Sequence, residues 1–120
     1  MDLRCLIVDD NPGFVTAARS LLQQQGITVL GSAENVADAL RQVADLQPDV
    51  VLADIELGGE SGFELARRIG PVAATRVVLI STHGADDLAE LVRESPAVGF
   101  IPKSELSASA IHAVLRASRA

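Results

Sequence analysis

The sequence predicts a doubly wound α/β domain in which helices cover both faces of a five-stranded parallel sheet. Three observations carry that prediction. Four short apolar runs, Leu6-Ile7-Val8, Val50-Val51-Leu52-Ala53, Val77-Val78-Leu79-Ile80 and the weaker Val98 with Phe100-Ile101, lack the polar alternation of a strand with one wet face. Apolar stripes at helical spacing lie between them, so strand and helix alternate strictly. The links between strand and helix are short, and with strict alternation they imply a doubly wound α/β sandwich.

Each element has its own signal. After Leu6-Ile7-Val8, Asn11 and Pro12 read as N-cap and first residue of a helix. Its apolar face is Phe14, Ala17, Ala18, Leu21 and Leu22, and Gly26 closes it. Ile27-Thr28-Val29-Leu30 alternates more cleanly and predicts an edge strand. Val36, Leu40, Val43 and Ala44 form the second helical stripe, stopped by Gln47-Pro48. Beyond the Val50 run, Ser61 to Glu64 has capping-box spacing ahead of Leu65, Ala66 and Ile69, with Gly70-Pro71 as the stop. After the Val77 run, residues 86–94 make a weaker helix with Leu88, Leu91 and Val92. Beyond Ile101 comes the last stripe, Ile111, Val114 and Leu115.

Composition narrows the function classes. The 120 residues are 48% hydrophobic, which suits one domain over 1–120 and excludes a disordered tail. Sixteen acids against ten bases leave a net charge of -6 with no basic cluster. Such a chain is a poor ligand for phosphate backbones, so no direct nucleic-acid contact is expected. The single Cys5 excludes an internal disulfide and a cysteine zinc cluster, and it fits a reducing compartment. No apolar stretch approaches the roughly 18 residues of a membrane span, and the first residues do not read as a signal peptide. The expectation is a cytoplasmic protein with no membrane partner.

In open α/β sheets, function gathers at the carboxyl ends of the strands. The first run ends in Asp9-Asp10, the second in Asp54, the third in Ser81-Thr82 and the last in Pro102-Lys103. Any one of these, taken singly, reads as an ordinary turn, cap or loop residue. Together they bring three carboxylates, a hydroxyl and the chain's single lysine to one edge. Carboxylates held together repel unless a cation intervenes, and oxygen-only ligands favour a hard ion such as Mg²⁺. Lys103 offers a compact positive charge and Ser81 a hydroxyl donor, which are parts for phosphoryl transfer to a carboxylate nucleophile.

At this point the motifs are recognisable. Leu6-Ile7-Val8-Asp9-Asp10-Asn11-Pro12, Asp49-Val50-Val51-Leu52-Ala53-Asp54, Leu79-Ile80-Ser81-Thr82 and Gly99-Phe100-Ile101-Pro102-Lys103 in this spacing resemble a response regulator receiver domain of two-component signalling, from Arg4 to about Arg116. Asn11-Pro12 and Pro102-Lys103-Ser104-Glu105-Leu106 are similar to receivers that precede LuxR-type helix-turn-helix output domains. The resemblance implies a flavodoxin-like (βα)5 fold with strand order 2-1-3-4-5. It implies that Asp54 accepts a phosphoryl group from the phosphohistidine of a histidine kinase or phosphotransfer protein. Asp9, Asp10, Asp54 and the backbone carbonyl of Glu56 would hold Mg²⁺, or Mn²⁺ in its place. Ser81 and Lys103 would bind phosphoryl oxygens. Phosphorylation would draw Ser81 in, let Phe100 turn inward and alter the face of the fourth and fifth helices and fifth strand for a downstream protein, an output domain or a second copy.

Several positions depart from the family's commonest pattern. Gly58 stands where many members carry Pro, which predicts a more mobile loop. Ser81 replaces Thr with the hydroxyl intact, Phe100 replaces Tyr, and Ser104 replaces Pro. Glu56 and His83, two residues beyond Asp54 and Ser81, stand where members tune phosphoryl-group lifetime. Asp86, Asp87, Glu90 and Glu94 read as a solvated face that could pair with Arg116 or Arg119 across a dimer. Two alternatives stay open: the receiver half of a DNA-binding regulator, and an aspartyl-phosphate hydrolase, for which Glu56 is a weak echo of the second acid and which usually needs a cap. A flavin carrier of similar topology would need a phosphate-binding loop and a stacking Trp or Tyr, and the chain has neither aromatic.

Overall fold

A computed structural model describes residues 3–70, 74–82 and 88–118. Five parallel strands make one sheet: β1 (Arg4–Val8), β2 (Thr28–Ala33), β3 (Val50–Asp54), β4 (Arg76–Ser81) and β5 (Gly99–Pro102). Their order is β2-β1-β3-β4-β5, the predicted 2-1-3-4-5. Between them run α1 (Pro12–Gln24), α2 (Val36–Leu46), α3 (Gly62–Ile69) and α4 (Ala89–Glu94), and α5 (Ala108–Ala117) follows β5.

Period-two alternation along the strands divides the interior into two layers. Cys5, Ile7, Val50, Leu52, Val78 and Ile80 face α1 and α5, where Leu22, Ile111 and Leu115 meet them. Leu6, Val8, Val51, Ala53, Val77 and Leu79 face α2 and α3, where Val43, Leu65 and Ile69 meet them. Both faces of β1, β3 and β4 are therefore covered, which accounts for their unbroken apolar runs.

Local chemistry sets the helix ends. The Asn11 side chain accepts from the Phe14 amide at 3.1 Å with Pro12 beside it, as the sequence predicts. Asn35 caps α2 by accepting from Asp38 at 2.8 Å. At the other end of α2, Gln47 takes a left-handed turn (φ 49°), and the Arg4 guanidinium donates to the carbonyls of Leu46 and Gln47. Those carbonyls lack partners within the helix.

Five expectations need adjustment. On α1, Ala18 and Leu22 are buried whereas Ala17 and Leu21 are exposed, so the buried stripe is narrower than the apolar one. On α2, Ala39 is buried and Ala44 exposed. The edge strand β2 begins at Thr28 and runs on through Gly31-Ser32-Ala33, with a register shift opposite Cys5 and Leu6. Only half of the capping box forms: Ser61 accepts from the Phe63 amide at 3.0 Å, while Glu64 turns to Arg67 and Arg68. Helix α4 is Ala89–Glu94 with no buried residue, and Leu91 is half exposed; Asp86 and Asp87 lie outside the described residues, as do Pro71 and Arg119.

The loop after β3 also differs from expectation. Glu56–Leu57 and Glu60–Ser61 pair as a small antiparallel hairpin around Gly58 and Gly59, with φ of 55° and 95°. Two successive residues at positive φ suit a two-residue hairpin turn. Proline, fixed near −65°, does not fit that turn at position 58. The loop expected to be mobile is closed by its own ladder.

Candidate functional site

Register explains why the polar residues meet. Val8 pairs with Ala53, so the residues that follow, Asp9 and Asp54, leave β1 and β3 side by side. Ile80 pairs with Asp54, and Ser81 pairs with Pro102, which places Ser81 and Lys103 at the same edge. Asp9 is tied to the end of β2 by its amide, which donates to the Ala33 carbonyl at 2.9 Å.

Asp9 is 1% exposed. Its Oδ1 accepts from the Asn11 amide at 2.9 Å, and its Oδ2 lies 2.7 Å from the Lys103 ammonium. Asp54 accepts from the Glu56 amide at 3.1 Å through Oδ1 and from Lys103 at 3.1 Å through Oδ2. Asp10 is exposed at the rim, Ser81 is buried at the end of β4, and Glu56 is exposed on the hairpin. Asp10, Asn11, Asp54, Glu56, Gly58, Ser81 and Lys103 line one open cavity of about 490 Å³. Phe100 is half-buried on β5 and packs toward the α2 and α3 layer. His83 lies outside the described residues.

The charges do not balance. Burial raises the Asp54 pKa above its ordinary value of 3.8; the Glu56 amide and Lys103 work against that rise, and Asp9 adds to it. Burial opposes the Lys103 charge, yet hydrogen bonds to Asp9 and Asp54 outweigh it and leave the lysine pKa raised. Asp9, Asp10 and Asp54 each offer a carboxylate oxygen, all within 4.8 Å of one another. Among the described residues, three carboxylates against one ammonium leave two negative charges in excess. An oxygen-only donor set with that excess fits a hard divalent cation.

Two neighbours of the site were not legible as such in the sequence. A Cβ on Gly62 would collide with the backbone carbonyl oxygen of Asp54, so α3 begins against the strand end that carries the acid. Nothing in Ser61-Gly62-Phe63 signals that approach. The Phe14 ring lies under the Lys103 ammonium, 4.4 Å from centroid to nitrogen, whereas helical spacing marks Phe14 only as a core residue.

A parallel 2-1-3-4-5 sheet with this carboxyl edge is the framework of a receiver-type signalling module. Residues 5–116 match the family model of the response regulator receiver domain, and the chain belongs to that family of two-component systems. A Pseudomonas aeruginosa protein named as a transcriptional regulator is 31% identical over 103 residues, 85% of this chain and 50% of that one. A protein-glutamate methylesterase/protein-glutamine glutaminase of Natronomonas pharaonis is 34% identical over 110 residues, 88% of this chain and 31% of that one. Among solved structures, a LuxR-family two-component response regulator from Aurantimonas sp. SI85-9A1 superposes with a TM-score of 0.85 at 27% identity, covering 99% of this chain and 86% of that one. The chain thus spans half or less of the length of these two curated relatives. Among the described residues, no helix is long and apolar enough to cross a membrane.

Proposed function

We propose that the chain is a single phospho-acceptor domain of a cytoplasmic phosphorelay, and that Asp54 receives a phosphoryl group from the phosphohistidine of a histidine kinase or phosphotransfer protein. The observation that carries this reading is the placement of the Asp54 carboxylate against Lys103 and beside Asp9 at the sheet edge. An Asp54 oxygen bonds to phosphorus, the phosphorus–nitrogen bond breaks with its electron pair going to nitrogen, and the imidazole, protonated on its other ring nitrogen, leaves as the neutral base. Lys103 moves its ammonium from carboxylate to phosphoryl oxygen, and the Ser81 hydroxyl donates to another. Asp9, Asp10, Asp54 and the Glu56 carbonyl would hold Mg²⁺ or Mn²⁺, which neutralises charge on the transferring group when bound. The chain assists its own phosphorylation without turning over an external substrate.

Glu56 stands at the cavity rim, where a side chain controls water access to the phosphoryl group; we assign His83 the same role on sequence grounds. The acyl phosphate shifts Ser81 and Phe100 and alters the face of α4, β5 and α5, the surface for a downstream protein, an output domain or a phosphorylation-dependent homodimer. The net charge of -6 argues against direct nucleic-acid contact by this domain. A second reading, the receiver half of a DNA-binding regulator, has LuxR-family and transcriptional-regulator relatives beside it but is not favoured over the first, since the methylesterase relatives are equally similar.

The test is incubation with acetyl phosphate and Mg²⁺, read by intact mass. A gain of one phosphoryl group in the wild-type chain and none in Asp54→Asn is expected. An equal gain in Asp54→Asn would overturn the assignment.

A further inference from the structure

We propose that Phe14 is a positioning residue for phosphoryl transfer: the face of its ring holds the Lys103 ammonium in line with Asp9 and Asp54. The inference rests on the function proposed above and adds a group that the acidic cluster does not include. Among the described residues, three groups stand against the ammonium: Asp9 Oδ2 at 2.7 Å, Asp54 Oδ2 at 3.1 Å and the Phe14 ring at 4.4 Å. The carboxylates supply charge on two sides. The ring closes another with a negative π face that attracts a cation without offering it a hydrogen bond.

Phe14 is itself keyed to the site. The Asn11 amide donates to Asp9 Oδ1 at 2.9 Å, and the Asn11 side chain accepts from the Phe14 amide at 3.1 Å. One residue therefore links the acid to the first turn of α1 that carries the ring. When Asp54 takes up a phosphoryl group, Lys103 must change partners, and the ring keeps the ammonium at the site during the exchange. A leucine there would keep an apolar side chain, though a smaller one, and attract no charge.

Lys103 is the only lysine in the chain, so lysine labelled with carbon-13 at Cε gives one side-chain methylene signal. In the wild type that signal is expected upfield from ring shielding, and in Phe14→Leu it should return to the unshielded position. The second arm replaces Phe14 site-specifically by mono-, di- and trifluorophenylalanine, which keep ring shape while draining the π face. Phosphorylation by acetyl phosphate with Mg²⁺ should slow step by step, roughly 3- to 10-fold across the series, with unchanged thermal melting. The same series in Lys103→Met should be flat. An unshifted methylene signal in Phe14→Leu overturns the proposal. So does a constant rate across the fluorinated chains while Lys103→Met is slow, and that outcome leaves the function of Asp54 standing. No mass gain in the wild type overturns the function itself and the proposal with it.

Discussion

Gly62, the first residue of α3, lies against the backbone carbonyl of Asp54 so closely that a side-chain carbon there would overlap the carbonyl oxygen. The relaxed alternatives are to tilt α3 or to push the strand end, and both displace Asp54. Gly62→Ala should cost about 1–3 kcal/mol, the usual range for forcing a methyl into a packed site. Urea unfolding measures the loss. Slower phosphorylation in the same variant, at a concentration of urea that leaves it folded, would show that the strand end has moved.

The hairpin after β3 is held from its far side. The Glu60 carboxylate accepts from the Val36 amide at 3.1 Å, at the N-terminus of α2. That amide is one of those a helix leaves unpaired, and a carboxylate suits the positive end of the helix dipole. Glu60→Ala should lower stability by about 0.5–1 kcal/mol, and Glu60→Gln, which keeps the acceptor, should lose less. Thermal melts of the three chains at low salt give the comparison.

Removing the lysine charge should be costly in a way that metal repairs. Lys103→Met leaves Asp9, 1% exposed, beside Asp54 with no ammonium between them. Breaking one side of a buried pair typically costs about 3–5 kcal/mol, and the cavity's openness to water lowers that toward the bottom of the range. Added Mg²⁺ should raise the melting temperature of Lys103→Met more than that of the wild type, because the ion replaces the missing positive charge. Equal shifts in the two chains would count against a carboxylate metal site.

The raised pKa of Asp54 predicts the sign of a pH effect. The folded state holds the Asp54 proton more tightly than the unfolded state, whose ordinary value is 3.8. Unfolding therefore releases protons in the window from 3.8 up to the elevated folded value, and this residue's contribution to stability falls as pH rises through it. Asp54→Asn lacks that contribution. The stability difference, Asp54→Asn minus wild type, should grow as pH rises through the window and then level off.

The sheet and its functional edge were legible because both depend on local signals. A strand covered on both faces needs an unbroken apolar run, and the residue after each run stands at the carboxyl edge, so Asp9, Asp54 and Lys103 could be placed together from the sequence. What escaped was set by contacts between distant segments. Ala44 and Ala39 are chemically the same, and only the position of α2 against the sheet decides that Ala39 is the buried one. Glu64 satisfies the capping-box pattern, yet Arg67 and Arg68 compete for it on the exposed side of α3. Gly58-Gly59 reads as flexible until Glu56–Leu57 is seen to pair with Glu60–Ser61.

Cys5 lies in β1, fully buried, with burial pushing its thiol up to about 12 against a weaker pull from a backbone contact at Leu52. Such a thiol is almost entirely protonated at neutral pH and has no path to an alkylating reagent while β1 stays paired. The same strand leads directly into Asp9. Timed alkylation of this one thiol is therefore a clock for the opening of the strand that carries the acid pair, and slowing of that clock by Mg²⁺ would measure how far occupancy of the edge locks the middle of the sheet.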